Sequence, residues 1–410
     1  MTNKITQQNI PKSWIHVSVA DIAEVQTGPF GSQLHESDYV KDGTPIITVE
    51  NLRDGFVKIT TDTPTVKKVD VERLKKYTLK EGDVVFSRVG SVDRSSYVTK
   101  EQEGWMFSGR ILRVRAKNGT NSKFLNHYFA KESTKNTIRN LAVGGTMPSL
   151  NTAIFNYVPA YSIPEPEQNR IVAVLETWDQ AIEKLKRKIE VKKEIKKGLM
   201  QELLSGKSRI AGYNDEWVNH ELEDLLKPTS EKYNPVIDNY SFKCIELEHL
   251  QKDDSKLLGF TDSKLQKSIK NVFKKGDVLF GKLRPYLRKF LRTEFDGVCS
   301  TEIWVLKSSK FIDSNYAYYL VQSDKFVNVA NVSSGSRMPR ADWGYMKSVN
   351  FTIPGKIDEQ KAIVRVLDTA DNEVRILIKK LSFLNNQKKY LLNNLITGTI
   401  RTPETLSIPK

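Results

Sequence analysis

The chain has few of the residues and runs that mark redox, metal-binding or membrane proteins. Its 410 residues include only two cysteines and five histidines. Cys244 and Cys299 form no CxxC pair and have no histidine at metal-ligand spacing, so we expect buried free thiols and no metal site. No run of about 18 apolar residues is available to span a bilayer, and residues 1–11 are polar. These absences predict a cytoplasmic protein.

One short motif suggests nucleotide chemistry but has the wrong surroundings. Residues 206–208 read GKS, as in a phosphate-binding loop, yet the upstream glycine of that loop is missing. The segment also follows a predicted helix instead of opening one, so Gly206 is better explained as a helix stop. We therefore expect no phosphate-binding loop at this position.

The charge balance is strongly basic. The chain carries 64 lysines and arginines against 49 acidic residues, a formal net charge of +15. Such a field attracts polyanions, so nucleic acid is the leading partner class and an anionic membrane surface is the rival. Because 39% of the 410 residues are apolar, the chain is long enough to build two or more domains.

The two halves of the chain carry the same landmarks in the same order. Residues 80–86 read KEGDVVF and residues 274–280 read KKGDVLF, and both predict a turn that leads into a strand. A glycine-rich loop follows in each half, GGTMP at 144–148 and GSRMP at 335–339, and an Ile-Pro pair then ends the irregular region. This repeat predicts two similar domains.

After each Ile-Pro pair the pattern becomes that of a long amphipathic helix. From Gln168 to Ser205 only Gly198 interrupts, which predicts a helix of roughly 38 residues and about 57 Å. Apolar residues recur at alternating steps of four and three, and the same register returns 192 residues later, so each helix has one heptad seam. The predicted pairing residues are Ile171, Leu175, Trp178, Ile182, Leu185 and Ile189 in the first helix and Ile363, Leu367, Val374, Leu377, Leu381 and Leu384 in the second.

The two seams are expected to pack on each other, because an apolar seam left in water is unfavourable. Similar halves of one chain usually adopt pseudo-twofold symmetry, which for a helix pair means an antiparallel coiled coil that holds the domains at a set separation. The predicted fold is therefore two α/β (α+β) domains joined by two long antiparallel α-helices. The predicted divisions are 1–163 for the first domain, 164–210 for the central helical region, 211–354 for the second domain and 355–410 for the C-terminal helical region.

Basic and small polar residues concentrate near the turns that both halves share, and we take these as candidate contacts to DNA. Arginine and lysine bind phosphates or guanine edges, and tyrosine contacts a phosphate or a base. The alternatives are a solvated basic surface and, for the glycine-rich loops, a plain connection. The lysine-rich stretch of the first helix has the same alternatives, DNA or partner contact against a solvated face. The candidates are Gly31, Ser32, Gln33, Arg88, Arg94 and Thr146 in the first half and Lys282, Arg284, Tyr286, Arg288, Arg337 and Arg340 in the second.

The ordered double set of motifs resembles the specificity subunits of type I restriction-modification systems (HsdS) over nearly the whole chain. The likeness is carried by residues 28–39, GPFGSQLHESDY, by residues 80–86, and by the Ile-Pro and Glu-Gln pairs that open each helix. The resemblance implies that each globular part is a target recognition domain that reads one half of a bipartite, asymmetric site on double-stranded DNA. It also implies that the helical parts are the conserved regions.

The resemblance further implies partner subunits. Two methyltransferase subunits (HsdM), which use S-adenosylmethionine to methylate adenine, would flank the chain, and restriction and translocation subunits (HsdR) would join for cleavage. Residues 234–237 read NPVI, which lacks the second proline and the aromatic residue of the NPPY-type methyltransferase motif. We therefore expect a noncatalytic DNA-recognition subunit that binds no cofactor itself. The alternatives are a coiled-coil interaction protein and a self-sufficient DNA methyltransferase or nuclease.

Overall fold

The computed structural model describes residues 10–31, 33–53, 55–332 and 338–406. The chain divides into two compact units, one made of Met1–Leu185 with Lys380–Lys410 (unit 1) and one made of Lys186–Lys379 (unit 2). Each unit contains one mixed α/β domain together with segments of two long helices. Both halves of the sequence therefore contribute to each unit.

The described strands of unit 1 form three sheets. A two-stranded sheet pairs β1 (Ile15–Ser18) with β11 (Pro159–Ser162). The five-stranded sheet has the order β2 (Ala23–Thr27), β10 (Ile111–Ala116), β7 (Val84–Ser87), β8 (Ser95–Tyr97) and β5 (Gly55–Phe56). The four-stranded sheet has the order β3 (Tyr39–Val40), β6 (Thr65–Val66), β4 (Thr44–Ile47) and β9 (Met106–Phe107).

The described strands of unit 2 also form three sheets. A two-stranded sheet pairs β12 (Trp217–Glu221) with β22 (Asn350–Pro354). The four-stranded sheet has the order β13 (Leu226–Pro228), β21 (Ile303–Ser308), β18 (Val278–Gly281) and β19 (Phe290–Arg292). The five-stranded sheet has the order β14 (Lys232–Tyr233), β17 (Lys270–Phe273), β20 (Gly297–Ser300), β15 (Lys243–Ile245) and β16 (Thr261–Asp262).

The helices within the two domains are short, whereas two further helices are long. Among the described residues, no helix combines the length and the apolar character needed to cross a bilayer. The domain helices are α1 (Val19–Ile22), α2 (Lys68–Arg73), α3 (Ser122–Ala130), α4 (Glu132–Leu141) and α5 (Thr152–Asn156) in unit 1, and α7 (Leu222–Leu225), α8 (Ser314–Leu320), α9 (Asp324–Ala330) and α10 (Trp343–Met346) in unit 2. The long helices are α6 (Glu165–Ser205) and α11 (Ile357–Leu395).

The two domains share one sheet topology, which confirms the predicted repeat and the α/β class. The order β2-β10-β7-β8 in unit 1 corresponds strand for strand to β13-β21-β18-β19 in unit 2, and all these neighbours are antiparallel. In unit 1, Phe86 of β7 lies in one buried cluster with Leu175 of α6 and Leu395 of α11. The sheet therefore buries one face against segments of both long helices.

The repeated motif KxGDV forms the same tight turn in both domains. Gly82 and Gly276 each adopt φ of 92°, a left-handed conformation that glycine takes without the steric penalty of a β-carbon. The next residue, Asp83 or Asp277, accepts a hydrogen bond from the backbone amide of the motif's first lysine, at 2.8 Å and 2.7 Å respectively. The chain then enters β7 or β18, as the sequence predicts.

The long helices are antiparallel within unit 1. Lys388 of α11 donates to Asp179 of α6. Arg401, beyond the end of α11, donates to both carboxylate oxygens of Glu167 near the start of α6, at 2.5 Å and 2.8 Å. Partner positions therefore rise along α6 while they fall along α11, as the predicted fold requires.

Unit 2 repeats the antiparallel arrangement with the roles of the helices exchanged. Lys192 of α6 pairs with Glu373 of α11 at 2.8 Å, and Lys196 pairs with Asp371. Arg209, which follows the end of α6, donates to Glu359 near the start of α11. Each unit is thus closed by the beginning of one helix and the end of the other.

The predicted seam positions are covered to different extents. Flanking apolar residues such as Val191 and Ile195 are exposed, so burial does follow the heptad seam. Which seam residue contacts which across the pair stays a prediction. Buried positions are Ile171, Leu175, Ile182, Leu185, Ile189, Ile363 and Leu367, and half-buried positions are Trp178, Val374, Leu377, Leu381 and Leu384.

A buried glutamate in unit 1 joins the start of α6 to the two ends of the chain. Glu167 is 3% exposed. The indole Nε1 of Trp14 donates to its Oε2 at 3.1 Å, while the guanidinium of Arg401 occupies both of its oxygens. A buried carboxylate needs such donors because removing it from water unpaired is very unfavourable. We call Trp14, Glu167 and Arg401 clamp 1.

Unit 2 has the same clamp, with its glutamate 192 positions after that of clamp 1 and its arginine 192 positions before that of clamp 1. Glu359 is 1% exposed and accepts from Nε1 of Trp217 at 3.2 Å. Arg209 donates to its two oxygens at 2.7 Å and 3.0 Å. We call Trp217, Glu359 and Arg209 clamp 2.

The glutamine that follows each clamp glutamate ties the helix to its domain. Gln168 donates to the carbonyl oxygen of Ile163 at 2.7 Å and accepts from the amide of Asn121 at 2.8 Å. Gln360 donates in the same way to the carbonyl of Pro354 at 2.8 Å. The Glu-Gln pair that opens each helix therefore holds the start of that helix against its domain, and we call this pair the Glu-Gln lock.

At one equivalent position of the repeat, the two units have different ionisable side chains. In unit 2, the hydroxyl of Tyr319 donates to Asp368 at 2.6 Å and to Asp371 at 3.2 Å. Its equivalent in unit 1, 192 positions earlier, is the buried His127. Burial, with a smaller contribution from the nearby Lys388, lowers the pKa of His127 to about 4 from 6.5.

Removing one clamp arginine should destabilise one unit only. Arg401→Ala leaves the buried Glu167 with a single donor, so we predict a loss of about 2–4 kcal/mol confined to unit 1. Arg209→Ala should do the same in unit 2. Hydrogen–deuterium exchange of each unit's peptides measures this. Lys193→Ala, which removes an exposed pair with Glu190, is the control and should change neither unit. Equal loss of protection in both units after Arg401→Ala would contradict the account.

His127 should make unit 1 sensitive to acid. The unfolded chain binds a proton at this histidine below about pH 6.5, whereas the folded chain does so only near pH 4. Stability should therefore fall as the pH drops from 6.5 to 4, by roughly 3 kcal/mol in total.

The test is His127→Tyr, which places the unit 2 residue in unit 1. Urea unfolding between pH 6.5 and 4 should show that this contribution to the pH dependence disappears. The same substitution at the exposed His16 is the control. An unchanged slope in His127→Tyr would show that His127 does not carry the effect.

Candidate nucleic-acid interface

One corresponding hairpin loop in each domain carries candidate basic residues, Arg88 in unit 1 and Lys282, Arg284 and Arg288 in unit 2. Hairpin loop 1 (residues 88–93) connects β7 to β8 and is closed by a hydrogen bond from the amide of Ser87 to the carbonyl of Arg94 at 3.0 Å. Hairpin loop 2 (residues 282–288) connects β18 to β19 and is closed by Gly281 and Lys289 at 2.8 Å. Both loops extend from the shared antiparallel sheet, which gives them a rigid base.

The glycine-rich segment lies beside hairpin loop 1. Gly90 donates its amide to the carbonyl of Pro148 at 2.9 Å, and Leu150 donates to the carbonyl of Arg88 at 2.9 Å. The segment itself is a small loop closed between Val143 and Ser149, with Thr146 exposed near its tip. The predicted residues Arg88 and Thr146 are thus on neighbouring loops.

Unit 2 reproduces these backbone contacts. Arg284 donates its amide to the carbonyl of Pro339 at 2.8 Å, and Ala341 donates to the carbonyl of Lys282 at 2.8 Å. Lys282 therefore occupies the place of Arg88, and Arg284 that of Gly90. The scaffold is common to both domains, whereas the side chains that it displays are different.

The guanidinium of Arg88 is engaged within the protein. Its Nε donates to the carbonyl of Leu150 at 3.0 Å and its Nη1 to that of Gly109 at 3.3 Å. The group also lies over the ring of Phe30, 5.2 Å from the ring centroid. Arg88 thus holds the two loops together, and contact with DNA stays a prediction for it.

The remaining candidates of unit 1 are less constrained. Arg94 is half-buried, and its side chain has no hydrogen-bond or ionic partner among the described residues. Gly31 is exposed. Gln33 accepts a hydrogen bond from the hydroxyl of Tyr77 at 2.8 Å, so its side-chain oxygen is already occupied. Ser32 lies outside the described residues.

The candidates of unit 2 fall into two groups. Lys282, Arg284 and Tyr286 have exposed or half-exposed side chains that bind no other described residue. Arg288 donates to Asp324 and to the carbonyl of Gln322 at 3.1 Å. Only the first group is free to meet a ligand without breaking an existing bond.

Arg340 resembles Arg288 in having a protein partner, because its Nε donates to Glu302 at 3.1 Å. Arg337 lies outside the described residues. The acidic partners of Arg288 and Arg340 are distant in sequence, so no local sequence pattern indicates these ion pairs. DNA contact by Arg288 and Arg340 stays a prediction and requires a phosphate or base to displace a carboxylate.

The lysine-rich stretch of α6 is partly neutralised. Lys192 and Lys196 pair with α11, and Lys193 pairs with Glu190 at 2.9 Å. These pairs support the alternative in which much of this basic face serves the helices and solvent. Among the described residues, no group of three or more potential metal ligands is present.

Comparison with known proteins identifies the family. The model of the type I restriction modification DNA specificity domain matches residues 11–193 and again 214–391. The type I restriction enzyme MjaVIII specificity subunit of Methanocaldococcus jannaschii is 24% identical over 422 aligned residues, covering 96% of this chain and 94% of that protein. The type I restriction enzyme EcoDI specificity subunit of Escherichia coli is 26% identical over 138 residues, 32% of this chain and 30% of its own length.

Solved structures show the same fold. The type I restriction-modification system S subunit from M. genitalium superimposes with a TM-score of 0.55 at 14% identity, covering 95% of this chain and 97% of that one. A chain from a study of complex assembly and conformational transition of the type I R-M system gives a TM-score of 0.60 at 15% identity, with 96% and 100% coverage. With both halves matched by the family model, this chain belongs to the type I restriction modification DNA specificity family.

Proposed function

We propose that this chain is the noncatalytic subunit that selects the DNA target of a type I restriction-modification complex. Its two α/β domains each read one half of a bipartite, asymmetric site on double-stranded DNA. The observation that carries the proposal is the pair of hairpin loops, which share a backbone framework and differ in the side chains displayed. Gly90 in one domain corresponds to Arg284 in the other. Two readers with one scaffold and unlike side chains suit a site with two unlike halves.

The chemistry of the complex belongs to other subunits in this proposal. Two methyltransferase subunits bind S-adenosylmethionine and methylate adenine, and restriction and translocation subunits join for cleavage. This chain contributes DNA recognition and a scaffold, and it binds no cofactor itself. Its net charge of +15 supports contact with the phosphate backbone, which supplies much of the affinity of DNA-binding proteins.

The proposal is tested by mapping methylated adenines in a host without adenine methylation of its own. Expression of this chain with its methyltransferase subunit should produce one split, asymmetric motif, and either protein alone should produce none. Methylation or cleavage by this chain alone would instead support a self-sufficient enzyme. A methylated motif that is continuous instead of split, or the absence of any methylated motif, would contradict the proposal.

Exchanging residues 14–160 for the equivalent part of a relative should alter one half of the methylated motif and preserve the other. The reason is that hairpin loop 1 and its neighbouring glycine-rich segment both lie inside the exchanged region. Methylome mapping of the hybrid measures the outcome. A hybrid in which both halves change would show that the domains do not read independently.

Arg94 and Arg88 should have separable roles in unit 1. Arg94→Ala should weaken DNA binding by the methyltransferase complex about 3–10-fold and reduce its salt dependence, while the urea midpoint of the chain stays the same. Arg88→Ala should lower stability by roughly 1–3 kcal/mol, because the carbonyls of Leu150 and Gly109 lose their donor. Titration with the mapped site at two salt concentrations measures affinity. Unchanged affinity in Arg94→Ala would remove Arg94 from the interface.

A further inference from the structure

Left-handed backbone is concentrated in hairpin loop 2 and at one residue that contacts it. Among the described residues, the non-glycine residues with positive φ are Asp253 (53°), Arg284 (52°) and Arg288 (46°). Arg284 and Arg288 flank a short 3₁₀ turn, Pro285–Leu287, and the amide of Asp253 donates to the carbonyl of Leu287 at 3.2 Å. All three residues therefore meet at one turn of unit 2.

This conformation is unfavourable for residues with a β-carbon and persists only where the surrounding structure imposes it. In unit 1 the corresponding position is Gly90, with φ of 71°, and it makes the equivalent amide hydrogen bond to Pro148. The backbone path is thus required in both domains. Glycine satisfies it without strain in unit 1, whereas unit 2 has an arginine there.

Protein contacts explain one of the two arginines but not the other. Arg288 is held by Asp324 and by the carbonyl of Gln322, so its side chain fastens the turn to the start of α9. The side chain of Arg284 is exposed and binds no described residue. No contact within the described fold accounts for an arginine in place of glycine at position 284.

Resting on the proposed function, we propose that Arg284 is a specificity-determining residue that recognises a guanine through the major groove in the half-site read by unit 2. The guanidinium fork matches the O6 and N7 acceptors of guanine when its position is fixed. The strained turn, in which Pro285 is buried, fixes the backbone from which the Arg284 side chain extends. A phosphate contact needs only a nearby positive charge, which the adjacent Lys282 already supplies.

The test compares Arg284→Gly and Arg284→Lys in the full chain bound to its methyltransferase subunit. Arg284→Gly relieves the backbone strain, so its urea midpoint should rise while selectivity for one G·C pair of the mapped motif falls about tenfold or more. Arg284→Lys keeps the charge but loses the fork, so it should lose the same selectivity. Oligonucleotides carrying each base in turn at every position of the half-site provide the binding readout.

Lys282→Ala is the matched comparison on the same loop. It should weaken binding to all these oligonucleotides by a similar factor and leave the motif unchanged, as expected for a phosphate contact. The unit 2 half-site is the half that persists when residues 14–160 are exchanged.

Three outcomes overturn the inference. One is that both Arg284→Gly and Arg284→Lys keep the full selectivity for every G·C pair of the mapped motif. Another is that Arg284→Gly weakens binding to all oligonucleotides equally while Arg284→Lys keeps full affinity, which would make Arg284 a phosphate contact. The third is a lower urea midpoint in Arg284→Gly, which would make the residue structural. If the unmodified chain yields no split motif, the proposed function has failed instead.

Discussion

The structure depends on a buried carboxylate at the beginning of each long helix. A carboxylate removed from water must receive strong donors, and Glu167 and Glu359 each receive an indole N–H and a guanidinium. The arginine comes in each case from the segment that follows the end of the other helix. Neither unit is therefore complete without both halves of the chain. This requirement, together with the apolar seams, fixes the antiparallel direction of the helix segments inside each unit.

A frame held in this way leaves the hairpin loops free to vary. The residues that shape the frame recur 192 positions apart, including the clamp glutamates and arginines and the Glu-Gln lock. The loops differ at exposed positions, and Gly90 of hairpin loop 1 corresponds to Arg284 of hairpin loop 2. Under the proposed function, stability and recognition are assigned to different residues, so that a domain would change what it reads without changing how it folds.

The sequence predicted the frame better than the site, for physical reasons. Periodic patterns report local geometry, so the long helices, their seams and the glycine turn at Gly82 were predictable from spacing. Pairings between distant residues leave no local pattern. The ion pairs of Arg288 and Arg340 could not be derived for this reason, and they reduce the number of candidates that are free to meet DNA. The left-handed backbone at Arg284 was equally hidden, because its glycine counterpart lies in a loop whose sequence has otherwise diverged.

The central claim, that each unit is closed by antiparallel segments of both helices from one chain, is tested most directly by zero-length carbodiimide cross-linking. The ion pairs between Lys192 and Glu373 and between Lys388 and Asp179 bring an amine against a carboxylate in unit 2 and unit 1 respectively. Mass spectrometry of a mixture of ¹⁵N-labelled and unlabelled chains should find both isopeptide bonds, each within a single chain. Isopeptide bonds that join labelled to unlabelled chains in the proportion expected for random pairing would contradict the account, because the helices would then pair between molecules.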